Sequence, residues 1–170
     1  MFYLNNTVYL GFGQKLSEFN ETTLKWTPRS PFDHLDHLIF LNAYSYNNDG
    51  YILLGEYQLG GFRKEPAVYK YDPDKDSWEN ISNCPVVLEY QPTEFFSHFL
   101  IHDKIYTDIG KILDGDNGKG FLWQYDITNN SWNQFHEVPN RSAVGNSITI
   151  DGKAYAIYGD EYWQFNPEKN

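Results

Sequence analysis

The sequence predicts an all-β chain, a β-propeller segment of about four blades, each a small sheet of four antiparallel strands. Three observations carry that prediction. An aromatic-acidic pair and a tryptophan recur at a fixed interval. Each pair follows a β-branched and aromatic run that ends in glycine. No stretch of the 170 residues keeps the 3.6-residue apolar period of an amphipathic helix, so helix content should be very low.

The interval is clearest in the middle of the chain. Tyr71-Asp72 stands seven residues before Trp78, and Pro85 follows seven later. Tyr125-Asp126, Trp132 and Pro139 repeat the figure at the same spacing. Phe19-Asn20 and Trp26 give a looser first copy, with Pro28 and Pro31 close behind, and Phe165-Asn166 begins a last one. The three tryptophans lie 52 and 54 residues apart, a period that marks one small unit repeated.

Within a unit the strands can be placed in order. Strand A is an apolar run: Phe40 to Tyr46, Phe95 to Ile101, Val144 to Ile150, and at the start only Phe2-Tyr3-Leu4. Strand B ends in glycine and carries Tyr9, Tyr51, Tyr106 or Tyr155 in register. Asp49-Gly50 and Asp151-Gly152 are expected to form the tight A–B hairpin turns. Strand C holds the aromatic-acidic pair, and strand D begins at the tryptophan. Blades are expected at about 1–33, 34–88, 89–140 and 141–170, the first short of most of strand A and the last lacking strand D. Trp26, Trp78 and Trp132 are read as blade-to-blade packing residues, because burying such a ring removes about 150–250 Å² from water.

Composition excludes several roles. A net charge of −10 with 13 scattered Lys and Arg gives no basic footprint, so neither nucleic acid nor an anionic membrane surface is an expected partner. No apolar run approaches the roughly 20 residues of a membrane-spanning helix. The first residues, MFYLNNTVYLGFG, lack the pattern of a secretory signal. The lone Cys84 allows no intrachain disulfide and is read as a small packing residue. The compartment stays open, with a lean towards export to the periplasm or cell surface.

The strand ending in glycine, the variable loop, the aromatic followed by an acid, then Trp, then Pro resemble the kelch repeat family over nearly the whole chain. Two features depart from the family pattern: the double glycine Gly60-Gly61 sits in the loop after strand B, and Phe19-Asn20 stands where Tyr-Asp is usual. The last unit, Gly159 to Asn166, also resembles a hemopexin repeat. The kelch resemblance implies a propeller that generally has six or seven blades. A segment of this length then belongs to a longer protein, pairs with another copy, or closes with an unusual seam.

Alternating strand direction puts the B–C and D–A loops on one face. The loops at Gln14 to Glu18, Glu56 to Pro66, Lys111 to Gly120, Arg29 to His37, Pro85 to Glu94 and Pro139 to Ala143 are long and irregular, as binding loops on a rigid scaffold tend to be. The leading expectation is a non-catalytic module offering this face to a protein or glycan. Its candidate residues are Arg141, Arg63, Tyr57, Tyr90, Asp114, Asp116, Asn117 and His37, with Arg29 a further polar residue there. Arg141 leads, since it precedes strand A and the resemblance implies ligand contact at such positions. The alternative is a carbohydrate-active enzyme, similar to the kelch-type sialic-acid mutarotases, with Arg141, Glu89, Glu94 and His98 as the catalytic suspects.

No cofactor or metal is expected. Asp72, Asp74 and Asp76 have the first three spacings of a calcium loop, but Ser77 stands where glycine is needed and Asn83 where a bidentate Glu belongs. That segment is read as a solvated C–D turn. His34 and His37 share a loop whose spacing fixes no zinc geometry.

Overall fold

The computed structural model describes residues 1–12, 15–32, 38–57, 63–85, 98–109, 120–138, 147–158 and 161–169. Among them there is no helix, and the strands form four antiparallel sheets in simple up-and-down order. Blade 1 comprises β1 (Phe2–Leu4), β2 (Thr7–Phe12), β3 (Lys15–Asn20) and β4 (Lys25–Arg29). Blade 2 comprises β5 (Leu38–Tyr46), β6 (Asp49–Tyr57), β7 (Arg63–Asp72) and β8 (Ser77–Asn83). Blade 3 comprises β9 (His98–Ile101), β10 (Lys104–Ile109), β11 (Gly120–Asp126) and β12 (Ser131–Val138). Blade 4 has three strands, β13 (Ile148–Ile150), β14 (Lys153–Tyr158) and β15 (Glu161–Phe165). The fold class is the expected one, an all-β propeller type of four blades with a short first strand and a three-stranded last sheet.

The chain divides into two compact units, Met1–Val86 and Val87–Asn170, each holding two blades. In both units the two sheets pack face to face through the same residue positions. Cross-strand pairing lines up a front row in each blade: Phe2-Tyr9-Glu18, Tyr44-Tyr51-Lys70, Phe99-Tyr106-Gln124 and Ile148-Tyr155-Gln164. The strand-B tyrosines are therefore in register, each opposite a long polar residue that directly precedes the strand-C aromatic. Because side chains alternate along a strand, the next row belongs to the opposite face. This back row reads Tyr3-Val8-Phe19-Trp26, Ser45-Gly50-Tyr71-Trp78, Leu100-Ile105-Tyr125-Trp132 and Thr149-Ala154-Phe165.

The joint within a unit is front row against back row. In the first unit Phe2 stacks on Tyr9 at 5.3 Å, and Tyr71 of blade 2 lies 5.9 Å from Phe2 and 5.5 Å from Tyr9. In the second unit Phe99 stacks on Tyr106 at 5.4 Å, and Phe165 of blade 4 lies 5.5 Å from Phe99 and 5.0 Å from Tyr106. One unit repeats the other. A hydrogen-bonded seam joins the first strands as well: Tyr3 N–H donates to Ser45 Oγ at 2.9 Å, and Thr149 Oγ1 donates to the Leu100 carbonyl at 2.9 Å.

The tryptophans do not share one role. Trp78 crosses to blade 1, edge-on to Phe2 at 6.2 Å, with Nε1 donating to the Ser30 carbonyl at 3.2 Å. Trp132 tilts on Tyr125 of its own blade at 5.2 Å. Trp26 is 48% exposed and tilts on Phe19 of its own blade at 4.9 Å, so its expected blade-to-blade role is corrected. Spacing fixes which sheet face an indole occupies, not whether another sheet covers it. Cys84 is fully buried, as a packing residue should be.

Turn chemistry explains the acidic half of the repeated pair. Asn20, Asp72, Asp126 and Asn166 each accept a backbone N–H two or three residues on: Thr22, Asp74, Asn129 and Glu168 donate at 3.0, 3.0, 2.9 and 3.0 Å. Each closes an Asx turn. Five residues after the aromatic the backbone is left-handed, at Leu24, Asp76 and Asn130 (φ 55°, 50° and 49°). The tyrosine hydroxyls of Tyr71 and Tyr125 donate to those side chains at 2.6 and 2.9 Å. Phe19 has no hydroxyl, and its turn carries Leu24. In blade 2 the A–B turn lies at Asn47-Asn48 (φ 46° and 69°), two residues before the expected Asp49-Gly50, while Asp151-Gly152 turns as expected in blade 4 (φ 49° and 71°). Asparagine tolerates the left-handed pair that a two-residue hairpin needs.

Candidate binding face

Up-and-down connectivity gives every sheet two unlike edges. The A–B and C–D connections are short turns, built as above. The other edge carries the B–C and D–A connections. Strands here run further out than the sequence suggests: β3 begins at Lys15, β6 reaches Tyr57 and β7 begins at Arg63. The Gln14 to Glu18 segment is therefore mostly strand, with Phe12 paired to Lys15, and the blade 2 loop shrinks to 58–62. Longer connections are those at 110–119 and, between sheets, 84–97 and 139–147.

Tyr57 and Arg63 are Cα partners on the last rung of β6 and β7, at the mouth of the 58–62 loop. Sequence reasoning named both, and the backbone brings them to one position. Arg141, Tyr90, Asp114, Asp116, Asn117 and His37 lie outside the described residues, as do the catalytic suspects Glu89 and Glu94.

His98 opens β9 on this edge, paired with Thr107, and its carbonyl accepts a hydrogen bond from Ser147 Oγ of blade 4. Burial disfavours the charged imidazolium, which pushes the His98 pKa below the usual histidine value. The neutral ring is the form a proton acceptor would need.

Arg29 closes β4 on the same edge, and its guanidinium is committed to Glu18. Arg29 Nε lies 2.7 Å from Glu18 Oε2, and a second guanidinium nitrogen reaches the same oxygen. The Tyr9 hydroxyl donates to that carboxylate at 3.2 Å. The hydrogen bond to Glu18 raises the Arg29 pKa, with burial opposing it. Beside it, Asp76 Oδ1 accepts from the Tyr71 hydroxyl and from Ser30 N–H at 3.0 Å. Burial pushes the Asp76 carboxyl upwards, but those donors and the Arg29 charge outweigh it and hold it low. This cluster pins the end of blade 1 to blade 2 and was not foreseen. Its signal was available, because Glu18 precedes Phe19 and so faces Tyr9 once the register is known.

The aspartates with calcium-like spacing serve other ends. Asp72 caps its own turn and pairs with Lys75 at 2.6 Å, while Asp76 turns to Tyr71 and Ser30. Among the described residues no group of three or more His, Cys, Asp or Glu converges as metal ligands would, and no helix is long and apolar enough to cross a membrane.

No family model matches the chain, and no curated protein sequence matches it. Among solved structures, the extracellular domain of a putative one-component system from B. thetaiotaomicron is similar, with a TM-score of 0.60 at 17% identity. The match covers 100% of this chain and 21% of that one, so the chain spans about a fifth of that protein's length. At this identity the likeness speaks for the fold alone.

Proposed function

We propose that the chain is a non-catalytic binding module, a kelch-like propeller segment that offers the B–C and D–A edge of its blades to a protein or glycan. The observation that carries this reading is the contrast between the two edges. One is closed by short Asx and asparagine turns, with Asn20, Asp72 and Asp126 each bonded to the backbone of its own turn. The other bears the longer connections, with Tyr57 and Arg63 paired at one loop mouth. Rigid sheets with variable loops at one edge are a common way to build a binding surface. The structural neighbour is an extracellular domain, in keeping with the lean towards export.

The test is a glycan and peptide screen of the purified chain, followed by calorimetric titration of Tyr57→Ala, Arg63→Ala and Arg141→Ala. The expected outcome is a loss of tenfold or more in affinity, about 1.4 kcal/mol, with unfolding midpoints unchanged. Unaltered affinity in all three variants would overturn the choice of edge. Following sialic-acid anomers by NMR in parallel separates binding from turnover, and a rate enhancement lost in His98→Gln would favour the enzyme.

A further inference from the structure

One rung of blade 3 departs from its counterparts. The residue after each strand-B tyrosine lies on the opposite sheet face. It is Leu10, Ile52 and Ala156 in blades 1, 2 and 4, but Thr107 in blade 3. Thr107 pairs with His98 on one side and Trp123 on the other, and Trp123 pairs with Gln134. The rung therefore reads His98-Thr107-Trp123-Gln134, where blade 2 has Ala43-Ile52-Tyr69-Asn80. The bulge before Trp123 has its twin between Val68 and Tyr69, so the backbone is common to both blades and the side chains differ.

These polar groups are buried. Thr107 is 4% and Trp123 9% exposed, and Trp123 Nε1 finds no acceptor among the described residues. An indole N–H can only donate, and a buried donor without an acceptor is rare enough in proteins to call for a reason. Tyr69, at the position of Trp123 in blade 2, is instead met edge-on by Phe32 at 4.7 Å. The rung lies near the end of β10 that leads into the 110–119 connection, on the edge that carries the longer loops.

We propose that this rung is a subsite for an uncharged saccharide, with Trp123 Nε1–H donating to a ligand oxygen and Thr107 and His98 exchanging hydrogen bonds with neighbouring hydroxyls. The inference rests on the reading of this edge as the binding edge and narrows its ligand. Sugar oxygens accept from N–H and O–H donors, while the C–H faces of the ring suit apolar and aromatic lining. An anion finds no cation on the rung, and the net charge of −10 repels it. The neutral His98 ring, the form that burial favours, both donates and accepts. Because Nε1 is sealed in the free chain, a ligand oxygen reaches it only with a shift of the indole or of the groups that cover it.

The experiment titrates the nitrogen-15-labelled 170-residue chain with galactose, N-acetylglucosamine and lactose, and with N-acetylneuraminic acid as the charged comparison. The Trp123 indole resonance, one of five, is identified by its loss in Trp123→Phe, or by sequential assignment should that variant not fold. It is expected to move with a neutral sugar. Calorimetry should show affinity about tenfold lower in Thr107→Val, with an unfolding midpoint unchanged or higher, because valine restores the apolar residue of the other blades in the same volume. A purely structural threonine would give the reverse, a lower midpoint with affinity intact. An indole resonance that stays still in excess sugar, or unchanged affinity in Thr107→Val, overturns the proposal. So does a preference for N-acetylneuraminic acid, or binding of peptides alone. If a sugar's affinity falls in Tyr57→Ala but not in Thr107→Val, the subsite fails and the binding edge stands; if neither sugar nor peptide binds, both fail.

Discussion

The ring of Phe2 lies against the backbone of Gly50: a Cβ added to Gly50 would stand 2.8 Å from Phe2 Cε2. The strand-B glycine is there because a neighbouring blade's aromatic occupies the space. In the second unit the matching back-row position holds the small, fully buried Ala154, in the cluster that contains Phe99.

Gly50→Val should therefore destabilise the first unit by about 2 kcal/mol through overpacking, although a β-branched residue normally favours a strand. Guanidinium denaturation checks it. In the background of Phe2→Ala the penalty should shrink, since the space is then free.

Trp78→Ala should cost about 3 kcal/mol, because it removes the cross-blade ring and the Ser30 hydrogen bond. Trp78→Phe keeps most of the ring and should lose about 1 kcal/mol. Trp26→Ala should cost less than about 1 kcal/mol. Equal losses at Trp26 and Trp78 would contradict the different roles assigned to them.

Leu24 is 73% exposed and holds a left-handed φ of 55°. Leu24→Gly should stabilise blade 1 by about 1 kcal/mol, the penalty that a Cβ carries there. The double variant Phe19→Tyr with Leu24→Asn recreates the hydroxyl-to-amide bond of Tyr125 and Asn130, and should be more stable than the two single changes sum to.

Asp126 is 7% exposed and accepts from Asn129 N–H at 2.9 Å, the Asn129 amide at 2.9 Å and Lys104 Nζ at 3.1 Å. Burial alone would raise its pKa, but these donors outweigh it and hold the carboxyl at about 2. The folded value lies below the unfolded one, so the unfolded chain takes up the proton first as pH falls. The contribution, about 2 kcal/mol, is complete above about pH 5 and is lost between about pH 4 and pH 2. Asp126→Asn should flatten the fall in unfolding free energy across that window, as read by urea titrations at each pH.

Much of the fold was legible because a buried aromatic at a fixed strand position leaves a period in the sequence. The Tyr71 to Trp78 interval is the length of one C–D hairpin, and the residue after the aromatic is acidic or amide because the turn needs an acceptor. Gly50 misled, since a glycine beside an aspartate suggests a turn equally well when its real cause is a ring from another blade. Trp26 misled for the complementary reason: its sheet position is that of Trp78, and only the presence of a covering blade differs. That Tyr57 and Arg63 share one sheet edge was legible from the strand order. The Glu18 and Arg29 pair depended on knowing which residues share a rung.

A double-mutant cycle on Tyr9→Leu and Tyr71→Leu tests most directly whether blades are joined front row to back row through these rings. Neither residue touches the other in sequence, and their rings meet at 5.5 Å across the joint. A coupling of about 1 kcal/mol is expected from the cycle. Losses that add to within about 0.3 kcal/mol would contradict the joint.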